Sequence, residues 1–323
     1  MDDLIRSVEI ICAFYFPPEE SKQLLGISDD YDIPPTTGYP QRLRRELNRE
    51  PPEKRSFPEF LRILTEFNEL VRSSMKTTIP SHLKTRHTVP LELVERILTQ
   101  SYSRTVSLKV HSLKDYVNGT DNVYGELLPR FVDKILKTTG VNSSHVFADL
   151  GSGVGNVVLQ AALQTGCEAW GVEMMPNPAN LAAEQLREFR ARCRLWGVRP
   201  GKVTLIKGSF LDDESPINRV FERVDTLMIN NFAFQPQTNN ALKLKFLGLK
   251  EGCQIAHLKP FKAHTKIGHG NVWDVEHILQ HERKLEYFSD SVSWGAPSGF
   301  WYIATIDRKP LQEFMDEMNR RRK

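Results

Sequence analysis

The stretch VFADLGSGVGN, Val146 to Asn156, constrains the fold of this 323-residue chain more than any other. Val146 to Leu150 is an apolar run broken only by Asp149, as in a buried parallel strand that ends at a turn. Gly151, Gly153 and Gly155 follow at once, where a backbone without Cβ atoms can bend sharply and approach a ligand closely. NVVLQAALQ then opens a helix whose unpaired N–H groups face that turn. The spacing G-x-G-x-G is one residue shorter than the dinucleotide fingerprint, which disfavours a nicotinamide cofactor. Glu173 closes the next apolar run, CEAWGVE, about twenty residues after the first glycine, where an acid commonly binds ribose hydroxyls. Together these residues predict an adenosine-containing ligand.

Length leaves room for two domains, or for one large domain with an appendage. No apolar run approaches the roughly 18 residues of a membrane span, and residues 1–30 lack a basic start followed by an apolar segment, so no membrane association is expected. Cys12, Cys167, Cys193 and Cys253 are widely spaced and form no CxxC pair. Neither a zinc site nor a disulfide framework is indicated, and a reducing compartment is expected. The net charge of +3 conceals an asymmetry. Residues 1–32 hold eight acids against Arg6 and Lys22, whereas Val71 to Lys114 holds eight Lys or Arg against Glu92 and Glu95, with His82, His87 and His111 interspersed. Charge runs are usually solvated surface; beside an enzyme domain, a basic one also suits a polyanionic partner, because phosphate contacts are made by Lys and Arg.

In chain order, IICAFYF at Ile10 to Phe16 reads as a strand or short helix ending at Pro17 and Pro18. Residues 30–58, rich in Pro and charge, read as irregular. Phe60, Leu64, Phe67 and Val71 repeat at helical spacing, with Pro58 in the first turn, and a second helix begins near Pro90 with Leu91, Val94 and Leu98 on one side. Tyr124, Gly125 and Glu126 read as a helix start before LLPRFVDKILK. Asn177 and Pro178 cap a long helix whose Ala182, Leu186, Phe189, Cys193 and Trp196 are core, ended by Gly197. VTLIKGSF, DTLMINN and QIAHLKPF are further strands, with the helix ALKLKFLGLKEG before the last. KLEYFSDSVSW and GFWYIATID, joined by APSG, form an antiparallel edge hairpin. The alternation predicts an α/β doubly wound sheet with a mainly helical N-terminal region. The expected divisions are residues 1–115, residues 116–309 and a basic tail at 310–323.

Such a sheet binds ligands beyond the carboxyl ends of its strands, where strand order reverses. The glycine loop, Glu173, Ser209 with Phe210, and Asn230 to Phe234 therefore converge on one crevice. NNFAF is poor core design: two amides followed by two aromatics in a turn expose costly Phe side chains unless they line a channel or face a cation.

NVYGE at Asn122 to Glu126, DLGSGVGN at Asp149 to Asn156, GVE at Gly171 to Glu173, INNFAF at Ile229 to Phe234, LKPF at Leu258 to Phe261 and SVSW at Ser291 to Trp294 occur in this order. Together they closely resemble the DOT (disruptor of telomeric silencing) family, the histone-lysine methyltransferases that lack a SET domain. The resemblance spans roughly Lys109 to Lys309. It implies a class I, S-adenosylmethionine-dependent fold and methylation of a lysine on the globular surface of histone three within the nucleosome. By the same resemblance, Tyr124, Gly125, Glu126 and Leu127 cover the methionine end of the cofactor. Phe147, Ala148, Asp149, Leu150, Gly151, Ser152, Gly153, Val154, Gly155 and Asn156 form its floor, Glu173 holds the ribose, and Ser209 and Phe210 flank adenine. Asn230 sits beside the transferring methyl, and Phe232, Phe234 and Trp294, with Trp301 and Tyr302, wall the lysine channel. The chain departs from the family at Ser209, where Asp is common, and at Trp301 and Tyr302, where a Tyr pair often stands.

Methyl transfer needs mainly geometry and a neutral amine, so no dedicated general base is expected. The basic segment Val71 to Lys114, with Lys259, Lys262, Lys266 and Arg320 to Lys323, becomes a candidate for nucleosomal DNA. Core histones are the other expected partners, in the nucleus, with the enzyme a monomer. The rival readings are a class I methyltransferase acting on an exocyclic amine of DNA or RNA, whose usual Pro-Pro-Tyr or Pro-Pro-Phe ending is absent here, a noncatalytic nucleosome-binding module, and a nicotinamide oxidoreductase.

Overall fold

A computed structural model describes residues 2–27, 38–50, 52–86, 88–114, 124–261, 267–268, 271–272, 274–295 and 298–321. Asn122, Val123, His87, Lys262, Lys266, Arg322 and Lys323, all singled out by sequence, lie outside them. The chain divides into two compact units, Met1–Arg96 and Ile97–Lys323. No helix among the described residues is long and apolar enough to cross a membrane.

The first unit is helical: α1 (Asp2–Tyr15), α2 (Pro18–Leu25), α3 (Tyr39–Leu47), α4 (Phe57–Ser74), α5 (Thr78–Leu83) and the start of α6 (Leu91–Arg104). IICAFYF continues α1 rather than forming an element of its own. Residues 30–58 are not wholly irregular, because Tyr39, Leu43 and Leu47 recur four apart and pack as α3 on the core of Ile5, Val8, Cys12, Phe60, Ile63 and Phe67. The charge density of RLRREL masked that stripe. Ser56 caps α4, its hydroxyl accepting from the Glu59 N–H at 3.2 Å, and Pro58 occupies the first turn, where no amide is needed. Arg42 forks onto both oxygens of Glu66, at 2.9 and 2.8 Å, tying α3 to α4.

The second unit contains α7 (Pro129–Thr139), β1 (Val146–Leu150), α8 (Asn156–Thr165), β2 (Glu168–Glu173), α9 (Pro176–Leu195), β3 (Val203–Lys207), β4 (Thr226–Ile229), α10 (Pro236–Lys245), β5 (Gln254–His257), β6 (Leu279–Tyr287), β7 (Gly299–Ile306) and α11 (Lys309–Arg321). Among the described residues the strands form one sheet, ordered β3-β2-β1-β4-β5-β7-β6. β1 to β5 pair in parallel, and β7 runs antiparallel between β5 and β6. This is the doubly wound sheet with an antiparallel edge hairpin that the alternation predicted. Every residue of β1 and β4 is buried, as strands covered by helices on both faces require. Order reverses between β1 and β4, which places the crevice above their carboxyl ends.

Three local expectations change. Tyr124 to Glu126 do not begin α7. Leu127 bridges Val292, and the helix starts at Pro129, whose ring suits the first turn. The long helix α9 begins at Pro176, ahead of Asn177. The basic tail is helical over Lys309–Arg321. All four cysteines are free and buried.

Candidate active site

The glycine loop turns as a Cβ-free chain can. Gly151, Gly153 and Gly155 have φ of 83°, 54° and 87°, in the left-handed region that other residues rarely adopt. The N–H groups of Gly151 and Ser152 both donate to Val172 O, at 2.9 and 3.0 Å, which seats the turn on β2. Gln185, buried in α9, donates from Nε2 to Val154 O at 2.9 Å and to Asn156 Oδ1 at 2.7 Å, pinning the far side of the loop. Sequence reasoning passed over Gln185, because a polar residue inside a helix carries no signal until its partner is known.

A wide cleft opens over this loop. It is lined by Tyr124 to Leu127, Asp149, Gly151 to Val154, Asn156, Glu173, Ser209, Phe210, Asn230 and Phe234, all of them expected. Val157, Met174, Met175, Pro178, Leu211 and Thr238 complete it without having been expected. Phe147, Ala148 and Leu150, expected at the floor, are the interior of β1, and a Cβ on Gly155 would meet Leu205 at 3.1 Å. These four residues support the loop and do not line the cleft. Glu173 accepts from the N–H groups of Gly153 at 2.9 Å and Met175 at 2.7 Å, one on each oxygen, leaving lone pairs for a ligand's hydroxyls. Ser209 Oγ accepts from Leu211 N–H at 3.0 Å, and Phe210 stacks on Phe234 with centroids 5.9 Å apart.

The electrostatics of this cleft are one-sided. Asp149, Glu126 and Glu173 line it, and no Lys or Arg does among the described residues. Burial pushes the Asp149 carboxyl up to about 8, and the Glu173 charge adds to the rise. Burial also raises Glu126 and Glu173 above the usual carboxylate range, although hydrogen bonds to the two tyrosines and to backbone N–H groups pull the other way. Acids held out of water in this manner are best satisfied by a positive group. The Tyr102 hydroxyl donates to Glu126 Oε1 at 3.0 Å, and the Tyr124 hydroxyl donates to the same oxygen. Tyr102 carries no motif and was not expected.

A second, narrower cleft joins the first. Tyr124, Gly125, Asn230 and Phe234 line both, while Phe232, Ala233 and Trp294 line the narrow one alone. Trp294 is delivered by the loop between β6 and β7. Ser293 holds that loop, donating from its N–H to Glu126 O at 2.9 Å and accepting from Glu126 N–H at 2.8 Å. Gly125 is there for Trp294: a Cβ on it would lie 2.5 Å from the indole Cε3. Trp294 also stacks on Phe232, with centroids 5.5 Å apart.

The two amides of NNFAF part company. Asn230 Nδ2 donates to Gly125 O at 3.3 Å, and its Oδ1 is buried with no partner where the two clefts meet. Asn231 is 0% exposed and points away. Trp301 and Tyr302, expected in the channel wall, do not line either cleft. Trp301 is buried edge-on against Phe131, and Tyr302 stacks on His257 with centroids 5.6 Å apart. Alternation along β7 sends these neighbours to opposite faces.

The same residues are matched by a family model described as "Histone methylation protein DOT1", over residues 102–306. The chain belongs to that family. Among similar proteins is the "Histone-lysine N-methyltransferase, H3 lysine-79 specific" of Aspergillus fumigatus, 48% identical over 320 residues, which cover 98% of this chain and 61% of that protein. The protein of the same description from Emericella nidulans is 47% identical over the same shares, and that from Yarrowia lipolytica is 40% identical over 79% of this chain and 52% of its own. The chain thus spans about three fifths of the length of the first two DOT1 relatives. The family match covers residues 102–306 and leaves α1 to α5, most of α6 and α11 outside it.

Proposed function

We propose that this chain is the catalytic portion of a histone-lysine N-methyltransferase that uses S-adenosylmethionine and acts on lysine 79 of histone H3 in the nucleosome. The observation that carries the reading is the junction at Asn230. An acid-lined cleft and an aromatic cleft share four residues there, and Asn230, which lines both, has a buried amide oxygen without a donor.

The residues fit the cofactor. Backbone at Gly151 and Gly153 leaves room for an adenosine, and a Cβ on Gly153 would crowd the Tyr124 ring at 3.1 Å. Glu173 would hold the ribose hydroxyls, and Ser209 and Phe210 the adenine. The acids suit a cofactor bearing a sulfonium and an amino group, whereas the pyrophosphate of a nicotinamide cofactor would meet carboxylates and no cation. When bound, S-adenosylmethionine supplies an activated methyl on a positively charged sulfur.

The protein's share is positioning and desolvation. Lysine has an ordinary pKa near 10.4, so neutralising it at pH 7.4 costs about 4 kcal/mol. Phe232, Phe234 and Trp294 would surround the side chain with apolar surface, which disfavours its ammonium form and lowers that cost. Asn230 Oδ1 would accept an amine N–H and aim the lone pair, holding the nucleophile in line. No His lines either cleft among the described residues. Glu126 is engaged by Tyr102 and Tyr124, and burial keeps the Tyr124 phenol neutral. The amine proton therefore leaves to water.

Substrate context follows from charge, with the nucleus as its compartment and nucleosomal DNA and core histones as partners of a monomer. Of the basic segment, Arg96 is buried against Asp3, Lys109 pairs with Glu184 at 2.8 Å and Arg104 lies 3.7 Å from Glu188. Arg86 is likewise engaged, by His82 at 3.2 Å and by the Phe14 ring, which leaves Arg72, Lys76 and Lys84 as the better phosphate ligands. Labelled S-adenosylmethionine offered to nucleosomes, free histones, naked DNA and RNA tests the whole reading. Label on the histone of nucleosomes is expected; label on nucleic acid alone would overturn it.

A further inference from the structure

The narrow cleft holds a chemical conflict. Ring faces attract cations, so an aromatic channel stabilises a lysine ammonium, the form that lacks a lone pair to accept a methyl. Desolvation disfavours the ammonium, but the carboxylates of the adjoining cleft favour it.

One cation of the protein sits over a wall of this channel. Lys259 Nζ stands over the Phe232 ring, 5.3 Å from its centroid, and Phe232 is the ring that stacks on Trp294. The backbone beneath Lys259 is clamped. Asn231 Oδ1 accepts from the N–H groups of Leu258 at 3.0 Å and Lys259 at 2.8 Å, while Asn231 Nδ2 donates to Lys259 O at 2.9 Å. His257 Nδ1 meets the same carbonyl at 2.8 Å. Burial lowers the His257 pKa to about 4, so the ring is neutral and its Nδ1–H is the donor. Asn231 and His257 are both 0% exposed. The other titratable groups nearby are Tyr124 with Glu126 behind it, Asp149 and Glu173 in the wide cleft, and Glu282, whose carboxylate lies 3.8 Å from His257 Nε2.

Resting on the reading that this cleft receives a lysine side chain, we propose that Lys259 is a specificity-determining residue. Its ammonium, over Phe232 on a main chain clamped by Asn231 and His257, repels the protonated amine and selects the neutral one. The like charge lowers the pKa of an amine inside. Methylated products, which are cations, are released more readily for the same reason.

The test compares wild type, Lys259→Gln and Lys259→Arg on nucleosomes at saturating S-adenosylmethionine, from about pH 6 to about pH 9.5. Lys259→Gln is expected to move the acid limb of kcat upward by on the order of half a pH unit, a loss of about threefold near pH 7 that vanishes at high pH. Lys259→Arg follows wild type. S-adenosylhomocysteine affinity, measured by calorimetry, is unchanged in both and excludes misfolding. Equal loss at every pH, or a change confined to KM and its salt dependence, overturns the proposal and leaves Lys259 as a contact to the substrate's surface. If wild type methylates no histone, the reading of the cleft fails separately. Tetramethylammonium binding, followed by tryptophan fluorescence, then still decides the charge effect: Lys259→Gln should bind several-fold more tightly, and equal affinity sinks it.

Discussion

The two clefts that meet at Asn230 are built by different means. The wide one is made largely by backbone: three glycines at positive φ, amide groups turned onto β2, and the Glu173 carboxylate tethered to main-chain N–H groups. The narrow one is made by side chains from three distant segments, Tyr124 and Gly125, Asn230 to Phe234, and Trp294. A backbone site tolerates much change around it and reads a common cofactor. A side-chain site depends on a few mutual contacts, and in the proposed reading it is the one that meets the substrate. The same contrast recurs within one dipeptide, where Asn230 lines both clefts and Asn231 serves the fold.

Gly125→Ala should strain this comparison most. Its Cβ would overlap the Trp294 ring, so methyl transfer is expected to fall on the order of 10²-fold, because a displacement of about 1 Å at a reacting centre costs that much. Single-turnover rates and S-adenosylhomocysteine calorimetry on the same samples separate the clefts. If cofactor affinity fell as far as the rate, the two would be one unit. Asn231→Ala comes next. It leaves the N–H groups of Leu258 and Lys259 without their acceptor, for a loss of about 2–6 kcal/mol in denaturant unfolding at roughly 1–3 per group. Asn230→Ala should lose rate with little change in stability. Equal stability losses in the two variants would remove the distinction drawn between them.

Asp149 gives a pH test of the wide cleft. Its folded pKa of about 8 lies above the ordinary value of 3.8, so the native state holds a proton that the unfolded chain releases. The associated stability is full below about pH 4 and is lost as pH rises towards 8. Asp149→Asn should flatten that part of the melting temperature against pH, and an unchanged slope would mean that the carboxyl is ionised throughout. Smallest of all, Lys109→Ala removes an exposed ion pair with Glu184 and should cost under about 1 kcal/mol, with cofactor affinity unchanged. Charge reversal at Arg72, Lys76 and Lys84 should instead weaken nucleosome methylation and its salt dependence without touching cofactor affinity.

Much of the wide cleft was legible because its signals are local. Glycine spacing, an apolar strand before it and an acid at the end of the next strand all lie within residues 146–173, and each has a conformational reason. The supports were not legible. Gln185 and Tyr102 look like ordinary helix residues until the fold brings Val154 and Glu126 beside them. For Trp301 and Tyr302, family pattern alone placed both in the channel wall. Strand alternation instead sent one into the core against Phe131 and the other onto His257. In the first unit, the charges of RLRREL hid a helix that the packing of Leu43 reveals.

By itself the sequence determined the order of strands in the sheet-forming part of the chain, the glycine turn and the identity of the segments that meet above the sheet, since periodicity and backbone permissiveness act over a few residues. Only the tertiary structure decided that Asn230 lines the clefts while Asn231 holds Leu258 and Lys259, that Gly125 makes room for Trp294, and that Lys259 rests on Phe232. Those relations join residues up to 169 positions apart in Gly125 and Trp294, and no local preference encodes contact across such a distance.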